Sequence, residues 1–198
     1  YEEIIPLITL GIAADVVPIK DENRVLVHHG LNILKNLEKP GLKTLLELAG
    51  LKGQVSVGQL VFSIAPRINA AGRLGDANRA VELLVTDDQD KARLLAKELD
   101  NENKRRQMIQ QAVVDEALLK VNAEADLKNE NAFVLADAGW HPGVVGIVAS
   151  KIKEEFNRPT IIIALENGSG KGSARSVAGF DLYEALTACK THLDGYGG

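Results

Sequence analysis

A single cysteine, Cys189, stands in the 198 residues. It excludes an internal disulfide and any Cys-rich zinc site, and makes the cytosol the natural compartment. Aromatic residues are 4% of the chain, with one Trp, so no aromatic platform for stacking nucleobases is evident. No apolar run reaches membrane-spanning length, and the first residues do not read as a signal peptide. Positive charge is not in excess either. A net charge of -4 argues against a protein that coats nucleic acid through bulk charge. It leaves room for a local phosphate site, because a few convergent donors suffice. There is no internal repeat and no low-complexity tract. The chain starts at Tyr1 and ends in "GYGG", and both ends read as cut, which predicts a piece of a longer protein.

What is present is a chain of two characters. Residues 4–19 read as a short helix or strand ending in a turn around Asp15, and residues 22–38 as one or two helices. After the Pro40-Gly41 break, Leu42, Leu45, Leu46 and Leu48 form a helical stripe. A helix from about Val57 is interrupted at Pro66. A polar, glycine-containing loop follows, then a helix from about Asn78. Residues 87–121 contain no Gly or Pro and are rich in helix formers, which predicts one long helix. Its middle, Asp100 to Gln107, is polar on every face, as in helices that bridge domains through solvent. The remainder alternates in type. A strand over Ala132–Ala136 precedes a helix from about Pro142 to Phe156. "RPTIIIALE" is a β-branched strand, "GSGKGSARSV" is a hairpin leading into another strand, and a last helix is capped by Asp181.

Four places offer chemistry. In "AGWHPGVVGIVASKI", Pro142 suits the first turn of a helix, and Gly143 and Gly146 permit close approach of a ligand. The N–H groups of a helix N-terminus favour an anion, and His141 can add a hydrogen bond or a charge. The structural alternative is that Trp140 packs and His141 caps the turn. In "KGSARS", strand alternation puts Lys171, Ser173 and Arg175 on one face, where two cations flank a hydroxyl in a manner suited to a phosphate. In "APRINAAGRLGDA", Arg67, Asn69 and Arg73 are placed in the loop beside Gly72 and Gly75, again a set suited to phosphate. In "GIAADVVP", Asp15 looks like a buried carboxylate, which needs a partner such as a hard metal ion, or else caps a helix. Two further features read as surface: His28-His29, and the basic run "NKRRQ" in the long helix, which can also line a groove.

Taken together, "LGIAADVVPI", "PRINAAGRLGDA", "GWHPGVVGIVASKI", "RPTIIIA", "KGSARSVAGFDLYEAL" and "GYGG" resemble, in order and over nearly the whole chain, the RecJ-type exonucleases of the DHH phosphoesterase family. The resemblance implies an α/β protein in three parts. Residues 1–86 would be the C-terminal, mainly helical part of a DHH domain, 87–121 a long connecting helix, and 122–198 a mixed α/β DHH-associated domain that grips nucleic acid across a cleft. It implies 5′-to-3′ hydrolysis of single-stranded DNA in recombination and repair, with manganese or magnesium in the full-length enzyme. Single-strand-binding protein or a helicase would be repair partners, and no membrane is involved. On this reading Asp15 is a metal ligand, and Arg67, Asn69 and Arg73 face the reacting nucleotide. His141, Gly143, Lys171, Ser173, Arg175, Gly197 and Gly198 belong to the DNA grip. The Asp-His-His motif that names the family is absent from these residues, and Val27-His28-His29 does not replace it. One aspartate cannot hold two metals about 3.5–4 Å apart, so these residues alone are expected to bind no metal and to be inactive. The competing readings are a phosphoesterase for short oligoribonucleotides or cyclic dinucleotides, and a non-catalytic nucleic-acid-binding module.

Overall fold

The computed structural model describes residues 2–123 and 130–197. The chain divides into two compact units, Tyr1–Arg106 and Gln107–Gly198.

The first unit is helical: α1 (Ile5–Ala14), α2 (Asp21–Leu34), α3 (Pro40–Leu48), α4 (Val57–Gln59), α5 (Ala65–Leu74), α6 (Asn78–Val85) and the first part of α7 (Gln89–Ala123). Local signals set the ends. Pro40 opens α3, where its missing N–H costs nothing. Ser56 and Gln59 form a reciprocal capping box at the start of α4. The Asp88 carboxylate accepts from the backbone N–H groups of Asp90 and Lys91 at 2.8 and 3.0 Å, and so caps α7. Leu42, Leu45, Leu60, Ile64, Leu83 and Leu99 are fully buried together and form the core. Leu48, placed in the apolar stripe by its spacing, stays at the surface.

Pro66 does not interrupt the chain as its type predicts. A π turn, Leu60–Ile64, runs directly into α5, with Ala65 N–H bonded to the carbonyl of Leu60 five residues back. Proline collides with the carbonyl four residues earlier in a regular helix, and the wider turn relieves that clash. "APRINAAGRL" is therefore helix and not loop. Only Gly75, the C-cap, leaves the helical conformation.

Helix α7 runs for 35 residues, close to the predicted span. Its polar middle is not solvated on every face: Asp100 and Asn103 are 7% and 5% exposed. They continue the buried stripe of Ala92, Leu95, Ala96 and Leu99. Their partners, given below, are what make burial tolerable.

In the second unit α7 continues with Val113, Val114, Ala117 and Val121 turned into a separate core. Among the described residues three strands, β1 (Phe133–Asp137), β2 (Thr160–Glu166) and β3 (Ser169–Arg175), lie in the order β1-β2-β3. β1 and β2 are parallel, crossed over by α8 (Val145–Phe156), and β2 and β3 are antiparallel. Asn167 and Gly168 both take positive φ, 51° and 80°, as the two-residue hairpin between β2 and β3 requires. α8 packs on β2 and β3 and ends at Asn157 in the left-handed conformation. Phe133, Val144, Val148, Ile152 and Ile162 fill the space beneath it. α9 (Leu182–Ala188) follows, capped by Asp181, whose carboxylate accepts from Glu184 N–H at 2.9 Å. Among the described residues no helix is long and apolar enough to cross a membrane.

Candidate phosphate-binding site

In the second unit the turn after β1 is fixed from below. Asp137 accepts from Gly139 N–H at 2.8 Å and pairs with Lys120 of α7 at 2.9 Å. These two bonds, the backbone one first, hold its carboxyl below the usual range. Lys120 also donates to the carbonyl of Ala136 at 3.1 Å and sits 5.4 Å from the Trp140 ring centre. Trp140, 3% exposed, donates from its indole N–H to Glu116 at 2.8 Å. The tryptophan is thus a packing anchor with its polar edge satisfied. The Nδ1 atom of His141 accepts from Gly143 N–H at 3.0 Å, so the ring caps the turn. With Nδ1 accepting, the neutral ring carries its proton on Nε2. Pro142 lies in this turn and not in the helix, which begins only at Val145 with Val144 as an N-cap that offers no side chain. The Val144 carbonyl accepts from the backbone N–H groups of Ile147 and Val148 at 2.9 and 3.0 Å.

The first turn of α8 packs against β3. Ser173 and Arg175 pair with Ile162 and Thr160 of β2, and Lys171 with Ala164. All three partners are buried, so this is the face that α8 covers. Arg175 donates from Nε to Ser150 Oγ of α8 at 3.0 Å, and from Nη1 to Ser173 Oγ at 3.0 Å and to the Ala174 carbonyl at 2.8 Å. Ser150 in turn donates to the Gly146 carbonyl at 3.2 Å. A Cβ on Gly146 would lie 3.1 Å from Ser173 Oγ and 3.2 Å from Arg175 Nη2. The glycine lets the strand's hydroxyl and guanidinium close on the first turn of the helix. Beside them is a groove of about 510 Å³ lined by Trp140, His141, Pro142, Glu166 and Lys171. A guanidinium held in place beside a hydroxyl and the start of a helix suits a tetrahedral oxyanion. Gly197 is exposed in the tail, with open space about it. Gly198 lies outside the described residues.

In the first unit Arg67, Asn69 and Arg73 stand on helix α5. The Arg67 guanidinium is fixed: Nε donates to Asp100 at 2.9 Å, and Nη1 donates to the carbonyl of Ser63 in the π turn. The other oxygen of Asp100 meets Lys104 at 2.8 Å. Burial works to raise the Asp100 carboxyl, but the bonds from Lys104 and Arg67 outweigh it and hold it low. Asn69 and Arg73 are exposed.

Asp15 is not buried as its apolar surroundings suggested. It is the exposed C-cap of α1, its own N–H bonded to the Gly11 carbonyl at 3.0 Å. Among the described residues no group of three or more His, Cys, Asp or Glu could hold a metal ion. His28 and His29 are exposed on α2.

Asp100, Glu116 and Ser150 were not singled out by sequence. Asp100 had a signal, a carboxylate in phase with an apolar stripe, which demands a buried cation. Ser150 follows Gly146 by four residues and so shares its helix face. Nothing local marks Glu116.

Residues 129–198 match the DHHA1 domain model. The single-stranded-DNA-specific exonuclease RecJ of Bacillus subtilis (strain 168) is 42% identical over 200 residues, covering 100% of this chain and 25% of the relative. The protein of the same name from Escherichia coli (strain K12) is 40% identical over 98% of this chain and 34% of its own length. The chain thus spans a quarter to a third of these curated relatives. The crystal structure of RecJ from Thermus thermophilus in complex with Mg2+ superposes with a TM-score of 0.89 at 41% identity, covering 100% of this chain and 30% of that one. A crystal structure of exonuclease RecJ bound to manganese gives 0.86 at 40% identity, covering 48% of that chain. Across its whole length this chain is homologous to a segment of the RecJ proteins, and its residues 129–198 match the DHHA1 domain.

Proposed function

We propose that the protein acts as a RecJ-like exonuclease, hydrolysing phosphodiesters of single-stranded DNA from the 5′ end in recombination and repair, in the cytoplasm. The observation that carries this reading is the Arg175 guanidinium, held by Ser150 and Ser173 against the first turn of α8. It is a preformed oxyanion grip in a unit whose relatives act on single-stranded DNA. In this reading Arg175, Ser173, Lys171, His141 and Gly143 hold the strand's phosphates, and Gly197 and Gly198 are assigned to the same grip by the resemblance. Arg67, Asn69 and Arg73 stabilise charge at the reacting phosphate. Asp15 is one ligand of a divalent cation whose other ligands lie outside these residues, so this segment alone does not turn over.

The test is anisotropy of a labelled, 5′-phosphorylated single strand, titrated with the chain and with Arg175→Ala at several salt concentrations. Salt-sensitive binding is expected, with a slope lowered by about one in the variant. Binding indifferent to Arg175, or a stronger preference for dinucleotides than for longer strands, would overturn the proposal. Turnover by these residues with manganese, abolished by Asp15→Ala, would refute the inactivity of the segment.

A further inference from the structure

The first unit carries a groove of its own, of about 510 Å³, between the turn that ends α2 and the turn that ends α3. Its wall is preformed. Gly50, at φ 75°, stops α3, and the Leu51 N–H bonds back to the Leu46 carbonyl at 2.9 Å, a left-handed helix end that brings the two leucines together. Leu34, Leu46 and Val55 are buried in the floor, while Leu37 and Leu51 stay partly exposed at the sides. The rim is cationic. Lys35 at the C-cap of α2, Lys43 on α3 and Lys52 in the following turn stand against the single carboxylate of Glu47. Among the described residues none of the three lysines is in an ion pair, and Lys35 donates to Asn32 Oδ1 at 3.0 Å. In a chain of net charge -4 this is a local excess of positive charge set around an apolar floor.

We propose that this groove docks an acidic segment of a partner protein, with an apolar side chain against Leu37 and Leu51 and carboxylates on Lys35, Lys43 and Lys52. Exposed ion pairs are individually weak, so a ligand that is acidic alone gains little here. A ligand that is apolar alone leaves the lysines without partners. A segment carrying both kinds of group uses floor and rim together, the apolar part for affinity and the charge for steering and register. No lining side chain is aromatic, so the groove lacks the stacking surface on which a single strand lays its bases. Lysine is a point charge on a flexible stem and follows the carboxylates of a mobile segment, whereas fixed bidentate recognition of phosphate calls for arginine. The inference goes beyond the exonuclease reading and does not rest on it, because none of these residues belongs to the phosphate grip.

The experiment titrates the whole chain into a short fluorescein-labelled peptide of alternating aspartate and leucine and follows its anisotropy. Two control peptides carry serine in place of leucine, or lysine in place of aspartate. The aspartate-leucine peptide is expected to bind, more weakly as salt rises. Lys43→Glu combined with Lys52→Glu should weaken it by about tenfold or more, because two attractions become repulsions. Lys151→Glu, an exposed charge reversal on α8, should leave it unchanged. Leu37→Ser, with its fold checked by circular dichroism, should weaken it severalfold and leave the salt dependence as it was. Absence of binding, equal binding of the serine peptide, or equal losses in the Lys151 variant and the double variant would overturn the proposal. So would a single strand of DNA that displaces the peptide and loses as much affinity in the double variant, since the groove would then hold nucleic acid. Failure of the peptide to bind leaves the exonuclease reading untouched, and Arg175→Ala, which tests that reading, should not alter peptide binding.

Discussion

Arg175 on β3 and Ser150 on α8 are joined by a 3.0 Å hydrogen bond from the guanidinium Nε to the hydroxyl. The bond fixes the plane of the guanidinium and so decides which N–H edges remain for a ligand. Ser150→Ala removes that constraint without removing charge. Single-strand binding is expected to weaken severalfold with the salt slope unchanged, since the number of cations is the same. The cost in stability should be about 1 kcal/mol or less. Anisotropy against salt, with urea denaturation followed through Trp140, measures both. An altered slope would mean that Ser150 affects more than orientation.

Gly146→Ala separates stability from binding. Alanine in a helix is favoured over glycine by about 1 kcal/mol. Its methyl would press on Ser173 Oγ and Arg175 Nη2, at 3.1 and 3.2 Å. The expected outcome is a protein as stable as the parent or more so, with at least severalfold weaker strand binding. Unchanged binding would show that the close approach of α8 to β3 is packing alone.

The carboxyls of Asp137 and Asp100 are both held low, and the sign of their effect follows. In the unfolded chain an aspartate titrates near pH 4. Above that value the contribution of each group to stability is complete, and it is lost as pH falls through the lower folded pKa, because the unfolded state takes up protons first. Asp137→Asn should therefore be less stable at neutral pH and show a flatter decline below about pH 4. The one tryptophan, Trp140, lies three residues from Asp137, so its fluorescence in acid titrations of urea unfolding reads this unit. An unchanged acid limb in the variant would contradict the assignment.

Gly41, read from sequence as part of a helix break, is inside α3 against α6. A Cβ there would overlap the backbone carbonyl of Leu83, which no side-chain rotation relieves. Gly41→Ala is expected to cost about 3 kcal/mol, at the upper end of overpacking effects, despite the gain in helix propensity. Circular dichroism in urea gives the value. A cost below about 1 kcal/mol would mean that α3 and α6 shift apart easily.

Much of the fold was legible because local signals were strong. α7 is an uninterrupted run of helix formers, and Asp181 and the hairpin before β3 each mark an element end by their own chemistry. In the site, Ser173 and Arg175 were legible as neighbours because a strand's period of two leaves no other choice. What escaped depended on distant partners. Asp100 and Arg67 are 33 residues apart, so the polar centre of α7 read as solvated when it is a buried ion pair. Pro66 and the glycines of "APRINAAGRLG" are loop formers by type. Only the turn that precedes them shows how the helix accommodates the proline. Asp15 looked buried because its sequence neighbours are apolar, but a helix end turns them away from one another.

The π turn at Leu60–Ile64 makes this part of the chain sensitive to length rather than to composition. Losing one residue there would yield a more regular helix, yet everything after it would be rotated by about 100° about the axis. Arg67 would then point away from Asp100, with every side chain still present. Conservative replacements at these five positions can be absorbed. A one-codon deletion cannot, and it would be recognised by a helix content that survives while binding is lost.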